Sequence, residues 1–332
     1  MSKLRLGLIG AGRIGQVHAA ALATQAPDAA LAAVADVRPE AATAVAERYG
    51  ATAVTDYHDI LQDTAVDAVL ICSSTDTHAQ IIVEAAAAGK HIFCEKPIDH
   101  SLEKIDAALT AVAEAGVQFM VGFNRRFDVN FRRAKEMLDG GQIGQPHILR
   151  ITSRDPAPPP LAYIKVSGGL FLDMTIHDFD MARFLLGEVE EVYVAAASLV
   201  DPAIGAAGDV DTAVITLKFA NGALGVIDNS RRAVYGYDQR LEIFGDKGMV
   251  KVGNERPTTA VYSGENGVTA DKPLYFFLER YMDAYAEEMR QFVAAVRQGK
   301  PVPVTGADGR APVVLALAAW QSFQENRPIR VN

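Results

Sequence analysis

The hexapeptide Gly10-Ala11-Gly12-Arg13-Ile14-Gly15 constrains the fold of this chain more than any other stretch. It follows a short β-like run, Leu4–Ile9, and precedes an alanine-rich helical segment that reaches about Ala23. That is the GxGxxG pattern in the place its physics requires. Gly10 permits a tight turn. Gly12 lets a pyrophosphate approach the backbone at a helix N-terminus, where free N–H groups and the helix dipole favour anions. Gly15 lets helix and strand pack closely. Ala11, Arg13 and Ile14 lie in the same turn and count with the glycines as cofactor contacts. Alone the motif is weak evidence, so its surroundings decide.

A second strand, Leu31–Ala35, ends at Asp36. This is the expected place for an acid that hydrogen-bonds the ribose 2′-OH of NAD and repels the 2′-phosphate of NADP. A helix N-cap would also use an Asp here, but the glycines upstream favour cofactor contact. Arg38 pulls the other way, because a nearby Arg can accept a 2′-phosphate. NAD is therefore the expected cofactor.

The β–α rhythm continues. Ala41–Tyr49 reads as a helix, Val66–Cys72 as a buried parallel strand, His78–Ala88 as a helix closed by Gly89, and His91–Cys94 as a strand. Ser101–Ala115 is amphipathic and helical, and Val117–Phe123 is a sixth strand. Alternation with short loops predicts a doubly wound α/β parallel sheet, with ligands at the C-terminal strand ends. That rim carries Ser73, Ser74 and Thr75, then His78, then Glu95 and Lys96. All six are candidate cofactor contacts. Turn and cap chemistry explains the hydroxyls equally well. Pro97 stiffens the exit from the fifth strand and holds Lys96 on a rigid edge, although a solvated surface lysine is as common.

The first domain is expected to span residues 1–124 and the second 125–332, with the final helix packing back on the first. After Asn124 comes a helix over Val129–Leu138 and a strand over His147–Ser153. Asp155-Pro156-Ala157-Pro158-Pro159-Pro160 is a stiff loop, either a pocket wall or a spacer. Long β-like runs then gather: Val189–Leu199, Thr212–Phe219, Leu224–Asn229, Arg240–Phe244 and Met249–Val252. Asn221-Gly222 is a hairpin signal. Strands grouped after one helix predict an α+β domain with a large open, mainly antiparallel sheet. Tyr275–Arg297 and Arg310–Gln324 read as helices.

Between these lies Gly168–Asp180. Leu172, Ile176 and Phe179 share one helical face, and Asp173, His177 and Asp180 repeat the spacing one residue on. A carboxylate and an imidazole one turn apart can act on the same object. The other reading of His177 is a core histidine satisfied by a helix neighbour.

Composition narrows the partners. The chain has 332 residues, enough for two domains, and a net charge of −9. Its arginines pair at Arg125-Arg126, Arg132-Arg133 and Arg231-Arg232 without forming a basic tract, so nucleic acid is not expected. Cys72 and Cys94 show neither disulfide nor zinc spacing, which suits a reducing cytoplasm, and no metal is expected. No signal peptide or bilayer-spanning run is expected.

Four segments together resemble the Gfo/Idh/MocA oxidoreductases. They are Gly10–Gly15, Glu95-Lys96-Pro97, Gly122-Phe123-Asn124-Arg125-Arg126-Phe127-Asp128, and Asp173-Met174-Thr175-Ile176-His177-Asp178. Tyr275–Tyr281 resembles the inositol-oxidising branch. The resemblance covers essentially the whole length. It implies a Rossmann domain followed by an α+β domain whose open sheet face forms a dimer or tetramer. It implies NAD-dependent oxidation of a cyclic polyol, with myo-inositol first and scyllo-inositol or an aldose as alternatives. Lys96, Asp173 and His177 map to the family's catalytic positions, Arg126 to a substrate arginine, and Tyr235 to a substrate tyrosine with Tyr237 as the alternative. Asn124 and Asp155 complete the implied substrate contacts. Unperturbed His titrates at about pH 6.5, so a neutral imidazole is available as base. His177 is expected to take the hydroxyl proton, Asp173 to orient the ring, and Lys96 to favour alkoxide charge. Two rival readings keep the fold: hydrolase or lyase chemistry with transient use of the nicotinamide, and a non-catalytic NAD(H)-sensing regulator.

Overall fold

A computed structural model describes residues 2–331. The chain divides into two compact units, Met1–Phe127 with Met282–Val313, and Asp128–Tyr281 with Val314–Asn332. No helix of the described residues is long and apolar enough to cross a membrane.

The first unit runs β1 (Leu4–Ile9), α1 (Arg13–Gln25), β2 (Ala29–Ala35), α2 (Pro39–Tyr49), β3 (Thr52–Val54), α3 (His58–Gln62), β4 (Ala68–Ile71), α4 (Thr75–Ala87), β5 (His91–Glu95), α5 (Leu102–Ala115) and β6 (Phe119–Gly122). Its sheet has the order β3-β2-β1-β4-β5-β6, with every pair parallel. The order reverses between β1 and β4, the switch point where such sheets bind nucleotides. Every residue of β4 is buried, as a strand covered on both faces needs to be. Helix α5 starts at Ser101, whose hydroxyl accepts from the Lys104 amide. The short β3 carries no apolar pattern, which is why sequence periodicity passes over it.

Where the second unit begins, α6 (Val129–Asp139) is capped by Asp128, which accepts from the amides of Asn130 and Phe131. Then follow β7 (Pro146–Arg154), α7 (Leu161–Ile164), a π turn (Phe171–Thr175), α8 (Ile176–Leu186), β8 (Val189–Ala197), α9 (Pro202–Ala206), β9 (Thr212–Phe219), β10 (Leu224–Ser230), β11 (Asp238–Gly245) and β12 (Met249–Val252). A small hairpin of β13 (Val261–Gly264) and β14 (Gly267–Ala270) precedes α10 (Phe277–Arg280). Helices α11 (Met282–Gln298) and α12 (Gly306–Glu325) and the short β15 (Ile329–Arg330) close the chain. The seven-stranded sheet has the order β12-β11-β7-β10-β9-β8-β15. It is mostly antiparallel, but β10 pairs with β7 in parallel. One face buries Leu149, Ile151, Ile215, Leu217, Ile227 and Ile243, and α8 packs there with Ile176 and Phe179.

The expected second domain differs from the second unit by residues 125–127 and by Met282–Val313. That segment belongs with the first unit because α11 lays its aromatic face on the Rossmann core. Tyr285 meets His18 edge-on at 5.5 Å between ring centres, and Phe292 meets Phe93 at 5.7 Å. The continuous helix expected over Tyr275–Arg297 is accordingly broken. Tyr281 leaves helical geometry at φ −119°, ψ 15°, where the chain passes from one unit to the other. The last helix is shared: its N-terminal part clusters with the first unit and the rest with the second, where Trp320 packs edge-on against Phe171.

Candidate active site

In the first unit the glycine turn forms an anion cradle. Gly10 has φ +97°, and a β-carbon there would sit 2.6 Å from the Cys72 carbonyl. A β-carbon on Gly15 would collide with the Gly10 carbonyl oxygen. Gly12 is the N-cap of α1, and the space beside it is open. Open space at a helix N-terminus is what a pyrophosphate needs, so these residues fit a dinucleotide. Arg13 and Ile14 open α1.

Asp36 is tied to this cradle. Its Oδ2 accepts from the Ala11 amide at 2.8 Å, and its Oδ1 accepts from the Arg38 amide at 2.9 Å. Partial burial pushes the carboxyl up, but these two amides and the Arg38 guanidinium outweigh it, so the group is held below the usual range. An ionised Asp36 repels a 2′-phosphate. Arg38 is itself paired with Asp36 at 3.4 Å.

The β4–α4 and β5 exits are laced together. The Ser73 and Thr77 hydroxyls are 2.7 Å apart, Ser74 caps α4 through its backbone, and Thr75 is the first helical residue. His78 is buried and bridges two loops, with Nδ1 2.9 Å from the Pro97 carbonyl and Nε2 3.1 Å from that of Ser73. Burial pushes its imidazole down, although both carbonyls favour the charged form. Neutral imidazole donates from one nitrogen only, and Nδ1 is the better placed. Glu95 is also buried: Oε1 lies 2.5 Å from Nε2 of buried His18, and Oε2 accepts from the Lys96 amide at 3.2 Å. His78 and Glu95 therefore brace the strand end that presents half-buried Lys96. Asn124 and Arg126 lie buried in a 3₁₀ turn, Asn124–Phe127, where Arg126 pairs with Asp308 at 3.1 Å.

In the second unit the expected polar stripe is present in altered form. Gly169 has φ +78°, and Leu170 starts the helix with its amide donating to Asp209 at 3.0 Å. The backbone then widens into the π turn over Phe171–Thr175 before α8. Such turns are frequent at functional sites. From Phe171 to Ala182 only Asp173 and His177 are not fully buried. Asp180 is buried, and Asp178 turns to the sheet, where Asn229 donates to it at 2.8 Å. Asn229 also accepts from Thr175 at 2.6 Å and donates to the Ser153 carbonyl at 3.3 Å. This polar anchor fixes the helix that carries His177.

Two groups that sequence reasoning missed hold Asp173. Tyr163, half-exposed on α7, donates to Oδ1 at 2.9 Å, and Nη1 of Arg231 donates to Oδ2 at 2.9 Å. The same Nη1 lies 3.9 Å from Asp155. Arg231 is only 1% exposed. Burial works against its charge, but Asp173 and Asp155 more than offset that. Asp155 and Asp173 are thus brought together through an arginine that the sequence shows only as half of an arginine pair.

Tyr235 is placed differently. Its hydroxyl donates to Asp238 at 2.5 Å and accepts from Arg154 at 3.1 Å. Arg154 and Ser153 are neighbours on β7 and so point to opposite faces of the sheet. Ser153 lies with Asn229 under α8, so the Tyr235 hydroxyl belongs to the other face. Tyr237 is buried between the rings of Phe276 and Tyr281.

Comparison with known proteins adds to this geometry. Residues 4–123 match the oxidoreductase family with an NAD-binding Rossmann fold, and residues 131–251 match the GFO/IDH/MocA C-terminal domain. The chain is 53% identical over 330 residues to the myo-inositol 2-dehydrogenase of Thermotoga maritima, covering 99% of this chain and 98% of that one. It is 50% identical over 330 residues to the inositol 2-dehydrogenase of Rhizobium meliloti, covering 99% of each. It superimposes with a TM-score of 0.93, at 32% identity and 99% coverage of each chain, on scyllo-inositol dehydrogenase from Lactobacillus casei with bound NAD(H) and scyllo-inositol.

Proposed function

Because this chain belongs to the GFO/IDH/MocA family of oxidoreductases, we propose that it is an NAD-dependent polyol dehydrogenase that oxidises myo-inositol to its 2-keto product. Likeness to two inositol 2-dehydrogenases over nearly the whole chain carries this reading. The residues support it with a cradle fit for a dinucleotide, an ionised Asp36, and an imidazole–carboxylate pair left accessible on an otherwise buried helix.

The reaction removes a hydride and a proton from one secondary alcohol. Bound NAD supplies the hydride acceptor. In this reading the neutral His177 imidazole takes the hydroxyl proton. Asp173 orients the ring and stabilises the imidazolium. Lys96 donates to the hydroxyl oxygen and favours the developing alkoxide. Asn124, Arg126 and Asp155 are the further substrate contacts proposed. Tyr235 is not brought to them within the single chain, since its hydroxyl is bonded to Asp238 on the other face of the sheet.

The test is NADH absorbance with a panel of inositol stereoisomers and aldoses, using NAD and NADP in parallel. The expected result is fastest reduction of NAD with myo-inositol. Absence of net NADH with every polyol would overturn the reading and favour transient cofactor use or a sensor. Scyllo-inositol is the second reading, supported by the Lactobacillus casei structure.

A homodimer or homotetramer through the second sheet belongs to the same proposal. Met249, Phe244, Ile148 and Leu224 form one row across β12, β11, β7 and β10 on the face turned away from α8. Phe244, Met249 and Leu224 are exposed in the single chain, a patch suited to a second copy. Light scattering is expected to give a dimer or tetramer mass; a monomer would refute it. A cytoplasmic location suits the two buried free thiols, Cys72 and Cys94, and cell fractionation would check it.

A further inference from the structure

We propose that Arg231 is a positioning residue that clamps Asp155 and Asp173 into a carboxylate pair, and that this pair reads adjacent hydroxyls of the polyol. The inference rests on the polyol dehydrogenase reading above and adds how that site recognises its substrate class.

The three side chains lie at different depths. The Arg231 side chain is 2% exposed, whereas those of Asp173 and Asp155 are 14% and 18% exposed. The cation lies behind and the two acceptors lie in front. Both carboxylates engage the same nitrogen, Nη1, at 2.9 and 3.9 Å. A carboxylate has about four lone-pair sites, so the bonds from Arg231 and Tyr163 leave Asp173 room for a hydroxyl donor, and Asp155 is held by charge at 3.9 Å from Nη1, beyond hydrogen-bond reach. Two ionised carboxylates side by side repel each other in the absence of a cation. Arg231 makes the close pair tolerable.

The backbone around the clamp is also fixed. The Asp155 amide donates to the Ser230 carbonyl at 2.9 Å, the Ala233 amide donates to the Asp155 carbonyl at 2.6 Å, and the Arg231 amide donates to the Asp211 carbonyl at 2.8 Å. Asp155 and Arg231 thus extend the neighbouring strands β7 and β10 beyond the ladder. Asp173 reaches them from the π turn, whose start is held by Asp209, a third carboxylate within the field of Arg231. Nε and Nη2 of Arg231 find no acceptor among the described residues. Its contacts with both carboxylates run through Nη1.

A cyclic polyol presents hydroxyls on neighbouring carbons, each able to donate. A paired acceptor rewards two such donors and leaves one carboxylate unmatched when a hydroxyl is missing. A hydrogen bond to a charged acceptor contributes about 1.5–3 kcal/mol, or roughly 10- to 100-fold in kcat/KM.

The experiment compares kcat/KM for myo-inositol with that for a deoxyinositol lacking one hydroxyl beside the reacting carbon. The full-length enzyme is used with saturating NAD, as wild type, Arg231→Lys, Arg231→Met and Asp155→Asn. The ratio of the two values does not depend on the fraction of active enzyme, so a merely structural defect leaves it unmoved. Wild type is expected to prefer myo-inositol by about 10- to 100-fold. Arg231→Met is expected to lose most of that preference, with KM for myo-inositol raised and NADH affinity unchanged. Arg231→Lys, which keeps the charge, is expected to restore part of it. Asp155→Asn, at a more accessible position, is expected to lower the preference whether or not Arg231→Met folds. A wild-type ratio in Asp155→Asn, or in folded Arg231→Met, would overturn the clamp. Failure of wild type to oxidise any polyol would instead strike the parent reading.

Discussion

The two units hold their polar groups by different means. In the first, the groups proposed to face the cofactor are mostly main chain: the amides at the start of α1, shaped by Gly10, Gly12 and Gly15, with Asp36 fastened to Ala11. In the second they are side chains gathered from separate elements. Arg231 follows β10 and Tyr163 lies on α7, and both donate to Asp173 in the π turn, while Asp155, which follows β7, lies 3.9 Å from the same Arg231 nitrogen. A backbone cradle suits a cofactor common to many reactions. A side-chain network can change residue by residue and suits substrate choice and proton transfer.

If this division holds, variants should separate binding of cofactor from chemistry. The largest effect is expected for His177→Ala, with turnover reduced by on the order of 10²-fold or more and NADH affinity retained, read by steady-state kinetics beside fluorescence titration. Loss of NADH affinity in that variant would break the comparison. Gly15→Ala should do the reverse. Its β-carbon meets the Gly10 carbonyl, so NADH binding weakens and unfolding free energy falls by about 1–3 kcal/mol in denaturant titration.

Asn229→Ala sharpens the second half of the comparison. It removes one partner each from Thr175 and buried Asp178, at a cost of about 1–3 kcal/mol. Thermal melts should register that loss, and turnover should fall more than NADH affinity. Asp36→Ala should lower the preference for NAD over NADP on the order of tenfold, about 1.4 kcal/mol. An unchanged cofactor ratio would mean that Asp36 does not read the 2′-hydroxyl.

The smallest effect is electrostatic. Burial pushes the Asp209 carboxyl up, and the charge of Asp173 adds to it. The amides of Leu170 and Val210 and the charge of Arg231 do not fully offset these. An acid raised in the folded state costs stability as pH rises from its ordinary 3.8 through its folded value, and that cost persists above. Asp209→Asn should therefore raise Tm slightly at neutral pH, and the gain should vanish below pH 3.8. A lower Tm at neutral pH would show that the ionised form is needed to hold Leu170.

How much of this was legible follows from the same contrast. The Rossmann half announces itself because its signals are local: apolar runs of strand length, glycines where a side chain would collide, and Asp36 at the end of the second strand. Asp173 and His177 are legible as types and spacing. The π turn that carries Asp173 is not, because Phe171–Thr175 has no composition that separates it from an ordinary helix. Arg231 is invisible for another reason. Its partners lie 58 and 76 residues away in sequence, and only the pairing of β7 with β10 brings Asp155 beside it. The break at Tyr281 is likewise a tertiary event, set where the chain leaves one unit for the other.

In the proposed reaction a hydride leaves the carbinol carbon of an inositol for NAD. The most direct measurement uses myo-inositol deuterated at C2 and follows the label by mass spectrometry. Transfer of deuterium to the nicotinamide, with a 2-keto inositol formed in equal amount, is the result expected. Unlabelled NADH, or consumption of inositol without net NADH, would contradict it.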